Sequence, residues 1–237
     1  MKLVVALVIL GCSGGEAAPK KQVPPPKVVD KEVVKKLDPV KDALCVTKGT
    51  AAIGGKITEP TMRAVAKGSL GESASLTFKY NGDTASVREL AGGQARRQIG
   101  LKLRAQDGCN LVYVMWRLDP KPKLDISVKL NPGKKTHKEC GADGYVKVKP
   151  AKGKLPGVPV LAIDDVRTLK AEIIGDELTV WIDELISWKG NLPEAARALD
   201  GPAGIRSDNF AFELVGFSAP TGPAAKVAAK CTAEDDA

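Results

Sequence analysis

Two carboxylates held about 5–9 Å apart across a glycosidic bond can cleave it by acid–base chemistry. In this 237-residue sequence, Glu172 and Asp183 are the pair that neighbouring strands could bring to one sheet face. Isolated carboxylates on strands more often serve as cross-strand ion-pair partners. Asp164-Asp165 and Asp183-Glu184 are adjacent in sequence, so their members point to opposite sides of an extended chain. His137 is the sole histidine, so any Ser-His-Asp triad would have to use it, and no Gly-x-Ser-x-Gly elbow accompanies it. Gly92-Gly93 is not followed by the Gly-Lys-Ser/Thr of a phosphate loop, and no Asp-x-Asp-x-Asp-Gly calcium loop occurs. No two cysteines stand at zinc-ligand spacing, and a His137–Cys140 ligand pair would stand alone. The sequence therefore assigns no catalytic residue, cofactor or metal site. An enzyme using unfamiliar carboxylates is the alternative to a binding protein.

Recognition without turnover asks for less: a flat aromatic ring with polar groups around it supplies the stacking and hydrogen bonds that a sugar needs. Aromatic residues make up only 4% of the chain, so each is informative. Strand alternation places Tyr113, Arg117, Glu172 and Trp181 off the core face, with Arg104, Lys129 and Thr179 as neighbours. These four are the candidate ligand-binding residues. Trp116 and Trp188 are assigned to the core.

The elements that position them are strands. Leu76, Phe78 and Tyr80 share one face before the Asn81-Gly82-Asp83 turn. Ile99, Leu101 and Leu103 alternate with Gly100, Lys102 and Arg104. The same period of two recurs at Ile126, Val128 and Leu130, at Leu178, Val180 and Ile182, and at Phe210, Phe212 and Leu214. From Asn110 to Leu118 both faces are apolar until Arg117, as expected of a central strand covered on both sides. Only Pro193 to Leu199 has helix-like composition in this part of the chain. About a dozen short strands between Gly, Pro and Asp turns predict an all-β fold, an antiparallel sandwich or barrel.

The stretch from Thr168, TLKAEIIGDELTVWIDELISWKG, resembles the paired strands of concanavalin A-like lectin/glucanase sandwiches. Residues 201–214, GPAGIRSDNFAFEL, resemble the turn and closing strand of the same folds. The resemblance covers residues 60–217 and implies a jelly roll of two antiparallel sheets, one of them concave, a face that binds sugar in many relatives. The Glu-x-Asp-x-x-Glu motif of the laminarinase-like enzymes is missing.

The chain opens with Met1-Lys2 and an apolar run from Leu3 to Leu10, far short of the roughly 20 residues that span a bilayer. The run ends in Leu10-Gly11-Cys12, which resembles the lipobox of bacterial lipoproteins. That resemblance implies a signal peptide over 1–11, a lipid on Cys12 and attachment to the cell envelope. Ser13 implies sorting to the outer membrane. Residues 12–27, rich in Pro, Lys and Gly, read as a tether. Val29, Val33, Val34 and Leu37 have helical spacing, so a short helix ending near Leu37 is expected at the start of a domain over 28–233, with an acidic tail at 234–237.

The net charge is +8 and the pI about 9.2, which favours acidic partners. Lys121 to Lys154 holds ten lysines against Asp125, Glu139 and Asp143, or +7, with no arginine. The expected ligand is a polysaccharide or glycan, acidic ones included, whereas export argues against nucleic acid.

With Cys12 lipidated, Cys45, Cys109, Cys140 and Cys231 remain, and an oxidising compartment makes two disulfides the default. First and last strands are neighbours in the resembled sandwich, which implies Cys45–Cys231 and leaves Cys109–Cys140.

Overall fold

A computed structural model describes residues 44–222 other than 53, 67 and 154, together with the backbone of 33–34 and 36–37. The signal, Cys12, the tether, Cys231 and the acidic tail lie outside the described residues.

Two antiparallel sheets pack face to face as a jelly-roll sandwich. Numbered along the chain, the larger runs in the order β11 (Tyr145–Lys147), β10 (Lys123–Lys129), β9 (Leu111–Arg117), β8 (Gln98–Leu103), β15 (Gly204–Asp208), β6 (Thr61–Ala66), β3 (Leu44–Lys48) and β2 (Lys36–Leu37). The smaller runs β14 (Leu185–Asn191), β13 (Glu177–Ile182), β12 (Val166–Ile174), β7 (Ser73–Gly82), β16 (Ala211–Ser218) and β5 (Lys56–Ile57). A separate pair joins β1 (Val33–Val34) to β4 (Ala51–Ala52).

Period-two patterning sets what each sheet buries. Along β7 every second residue is buried, and Ile99, Leu101 and Leu103 of β8 are fully buried in the sandwich interior. Phe78 meets Trp116 edge to face at 5.9 Å and Phe210 at 5.6 Å, contacts worth about 0.5–1.5 kcal/mol each beyond the area they bury. Trp116 and Trp188 both belong to this core. As expected for a central strand, β9 lies between β8 and β10 and is buried on both faces. Its Val112, Val114 and Trp116 enter the sandwich core, while Leu111, Tyr113 and Met115 form a second apolar cluster on the opposite face with Cys45, Val65 and Ala105.

The helix expected to end near Leu37 is corrected. Val33–Val34 and Lys36–Leu37 are strands, paired with Ala51–Ala52 and with Leu44–Cys45. β-branched valines fit a pleated edge at least as well as a helix face, and backbone pairing with β4 and β3 decides the outcome. The expected helical composition at Pro193–Leu199 becomes a 3-10 helix, Glu194–Ala198. A one-turn helix, α1 (His137–Cys140), has no counterpart in the sequence reading. The Glu139 carboxylate accepts the Thr136 N–H at 2.8 Å, closing a capping box, and these backbone donors hold its pKa down to about 2. Among the described residues no helix is long and apolar enough to cross a membrane.

Cys109 and Cys140 form the expected disulfide, across 31 residues of sequence, and Cys45 is disulfide-bonded as well. Closing a loop of that length removes entropy from the unfolded chain worth about 3–4 kcal/mol in the loop-entropy picture. Replacing both Cys109 and Cys140 by serine should therefore lower unfolding stability by about 2–4 kcal/mol in urea denaturation. An unchanged midpoint would show that the bridge adds nothing.

Candidate functional site: a cationic cavity on the larger sheet

On the larger sheet, residues of one parity face away from the sandwich interior, and strand register lines them up in rows. One row runs Arg63, Arg206, Gly100, Met115, Asp125 across β6, β15, β8, β9 and β10. The next holds Gly204, Lys102, Tyr113, Ser127 and Lys147. Above these rows lies a cavity of about 480 Å³. Its floor includes Arg63, Arg206, Gln98, Tyr113 and Ser127. One wall is the loop carrying Arg88, Glu89 and Arg96, and the other is the α1 turn from His137 to Ala142.

The floor is organised by one buried carboxylate. Asp208 accepts Arg63 Nη2 at 2.6 Å, Arg206 Nε at 2.8 Å and Gln98 Nε2 at 2.6 Å. Burial alone would push its pKa up. The adjoining Arg206 and Arg63 guanidiniums outweigh that and hold it well below the usual carboxylate range. Burial likewise works against the charge on Arg206, and Asp208 more than restores it.

Arg206 then reaches sideways, its guanidinium carbon 4.7 Å from the centre of the Tyr113 ring. The two residues sit on β15 and β9 with β8 between them, and Gly100 is the β8 residue in register with Arg206. A Cβ at Gly100 would stand 2.1 Å from the Val114 carbonyl oxygen. On its other side Tyr113 stacks with Tyr145, ring centres 6.0 Å apart and nearly parallel, and the Lys129 ammonium lies 5.2 Å from the Tyr145 ring centre.

Lys129, though fully buried, secures the α1 wall. Its Nζ donates to the carbonyls of Gly108 at 3.2 Å and Gly141 at 3.0 Å and lies 3.0 Å from Cys140 Sγ. The loop wall is clamped by Asn209, which receives the Arg88 N–H at 2.7 Å and donates to the carbonyls of Arg88 and Arg96. His137 in the α1 wall registers the local field. Burial lowers its pKa, and Lys129, Lys48, Arg206 and Arg63 lower it further. Six lysines and arginines line the cavity against two carboxylates, Glu89 and Asp125. Asp125 is itself claimed by Arg117 at 3.0 Å and by Lys147. Among the described residues no group of His, Cys, Asp and Glu could hold a metal ion.

The four sequence-predicted residues fall on two opposite surfaces. Tyr113 forms part of the cavity floor, and Arg117, on the same strand face, pairs with Asp125 beside it. Glu172 and Trp181 stand on β12 and β13 of the smaller sheet, where Lys170 Nζ lies 4.9 Å from the Trp181 ring centre. The structure does not bring these pairs together. Of the suggested neighbours, Thr179 faces Glu172 across the smaller sheet, and Arg104 bonds to the Ala196 carbonyl at 3.0 Å.

Nor do Glu172 and Asp183 converge. Asp183 accepts the Thr168 N–H at 2.9 Å and pairs with Arg167, so it sits at the Thr168 level of β12. Glu172 is four residues further along that strand, about 13 Å away at about 3.3 Å per residue. That exceeds the roughly 5–9.5 Å separation of glycosidase carboxylates.

Missed by the sequence reading were Arg63, Gln98, Arg206, Asp208 and Tyr145. One signal was present: Arg206 and Asp208 are two apart in Gly204-Ile-Arg-Ser-Asp208, so on a strand they share a face and can pair.

No protein-family model matches the chain, and no curated protein matches it. Among solved structures it is similar to the carbohydrate-binding module CBM66 from Bacillus subtilis, at 13% identity and a TM-score of 0.49 over 76% of this chain and 98% of that one. It is also similar to a tetrameric galectin from the sponge Cinachyrella sp., at 14% identity and a TM-score of 0.43 over 68% and 99%. Likenesses at this level assign no ligand. The sandwich stands on its own strand order.

Replacing Asp208 by Asn should cost about 3–5 kcal/mol at pH 7, because two buried guanidiniums lose their counter-charge. The folded pKa of Asp208 lies below its unfolded value of about 3.9. Its stabilisation is therefore complete above that value and lost as pH falls towards the folded one. The stability gap between wild type and Asp208→Asn should accordingly narrow below about pH 4 in urea titrations. A constant or widening gap would contradict the assignment.

Proposed function

We propose that this chain is a non-catalytic, lipid-anchored carbohydrate-binding protein of the cell envelope, with saccharide held in the cavity on the larger sheet. The observation that carries this reading is the cavity itself. About 480 Å³ falls within the range of small-molecule sites, roughly 300–1,000 Å³. Its floor is made of central strands, and its polar groups are fixed by buried partners, so little ordering is left for a ligand to impose.

Aromatic placement supports the same reading. Every phenylalanine is buried in the sandwich core, as are Trp116, Trp188 and Tyr80. Tyr113, Tyr145 and Trp181 stand apart from it, and the first two line the cavity. Against catalysis by Asp125 stands the state of that carboxylate. A general acid needs a raised pKa, whereas Arg117 and Lys147 together overcome burial and keep Asp125 low. Anchoring rests on the sequence alone, on the apolar run that ends at Cys12 and the tether that follows.

Glycan-array binding of wild type, Tyr145→Ala and Trp181→Ala tests the site. Tyr145 is 40% exposed on a short edge strand, so its truncation spares the fold. Tyr145→Ala should weaken binding about tenfold and Trp181→Ala should leave it unchanged. The reverse pattern would move the site to the smaller sheet, and no glycan binding would refute the function. Labelling with radioactive palmitate in a bacterial host should mark the wild-type chain and not Cys12→Ala. Equal labelling would remove the anchor.

A further inference from the structure

Resting on the saccharide reading of this cavity, we infer that its ligand is an anionic saccharide, whose carboxylate or sulfate docks on the terminal nitrogens of Arg206. Neutral-sugar sites commonly offer an open aromatic face, and here the ring in the floor, Tyr113, is covered. Tyr113 is 4% exposed, with the Arg206 guanidinium against its ring and Tyr145 stacked nearby. What the floor presents in place of a ring is a guanidinium.

That guanidinium is unusually well prepared. Arg206 is buried to 8% exposure, its Nε–H is committed to Asp208, and its plane is supported by Tyr113. Its two terminal nitrogens have no protein partner among the described residues, yet they are not sealed from the cavity. Planar, paired N–H groups match a carboxylate or sulfate in bidentate geometry, and a fixed fork loses little entropy on binding. Arg63, by contrast, commits both terminal nitrogens, to Asp208 and to the carbonyls of Met62 and Ser207, which leaves Arg206 as the reader.

The surroundings carry the same sign. Arg88 and Arg96 enter from the loop wall and Lys147 from β11, while Asp208 and Asp125 are already neutralised by ion pairs and Glu89 is the other carboxylate of the lining. A sugar acid therefore meets a positive field with one fixed contact point. A single-stranded nucleic acid would need exposed rings along a groove for its bases to stack on, and a lipid headgroup would need the acyl chains to leave through an apolar mouth. The loop wall sets Arg88, Glu89 and Arg96 beside only two apolar side chains, Leu90 and Ala91.

Calorimetric titration of the full chain decides between ligands. The probes are a galacturonate tetramer, a sulfated heparin tetrasaccharide, a neutral galactose tetramer, a single-stranded oligonucleotide and phosphatidylglycerol vesicles. One acidic saccharide should bind at least tenfold more tightly than the neutral tetramer, and the advantage should shrink as salt is raised from about 50 to 300 mM. Arg206→Lys keeps a charge beside Asp208 but loses the fork, and should cost tenfold or more with the melting temperature confirming the fold. If that variant does not fold, Arg88→Gln with Arg96→Gln serves, and an unchanged acidic-saccharide affinity overturns the inference.

Equal binding of neutral and acidic tetramers would overturn the anionic class and leave the saccharide site standing. Tightest binding of the oligonucleotide or the vesicles would overturn the class as well. Failure of all three saccharides would bring down the saccharide reading with it.

Discussion

Three groups share the Asp208 carboxylate beneath the outer face of the larger sheet, and the rest of the site depends on that arrangement. A buried guanidinium is tolerated only when a counter-charge and acceptors meet it, and a buried carboxylate only when donors surround it. Asp208 is 1% exposed and has both arginines and Gln98 around it, so each group makes the others admissible. β15 contributes Arg206 and Asp208, and its neighbours β6 and β8 contribute Arg63 and Gln98. The cluster therefore also cross-links three central strands. With charge and geometry settled below, the cavity inherits an arginine whose orientation is not in question.

The walls are held by a separate means. The Arg88–Arg96 loop and the α1 turn lie outside the strand ladders; each closes on itself through bonds such as Leu90 N–H to the Gln94 carbonyl at 3.0 Å and Gly141 N–H to the His137 carbonyl at 2.8 Å, and single side chains tie them to the sheet. Asn209 does this for the loop from a left-handed conformation, φ 49°, that asparagine tolerates better than most residues. Lys129, with the Cys109–Cys140 bridge, does it for α1. A lysine ammonium spent on backbone carbonyls is a structural fixture, and its burial keeps it from acting as part of a surface field.

Period two made the fold legible. Leu76, Phe78, Ile99, Leu101, Val112, Val114 and Trp116 all entered the interior that alternation predicts. Alternation answers only whether a side chain points in or out, however. A sandwich has two outer faces, and sheet membership is decided by long-range pairing that no local pattern encodes. Tyr113 with Arg117 and Glu172 with Trp181 were all read as outward, and they stand on opposite surfaces. The Val33–Leu37 segment failed differently: its valine spacing satisfies a helix face and a short strand alike, and partners far along the chain chose the strand.

Charge density along the sequence was the least reliable guide to where charge matters. Lys121 to Lys154 is the most basic stretch, yet its lysines scatter once folded. Lys129 is buried as a wall fixture, Lys147 reaches the cavity, and Lys121, Lys123, Lys134, Lys135 and Lys138 are exposed. The cavity instead draws Arg63, Arg88, Arg96 and Arg206 from strands and a loop that are remote in sequence. Lysines on a solvated surface keep their hydration and are screened within about 8 Å at physiological salt. An arginine pinned between a carboxylate and a ring keeps its direction, because it has surrendered its mobility already. A count of cations per segment therefore overstates the lysine stretch and overlooks the fixed charge of Arg206.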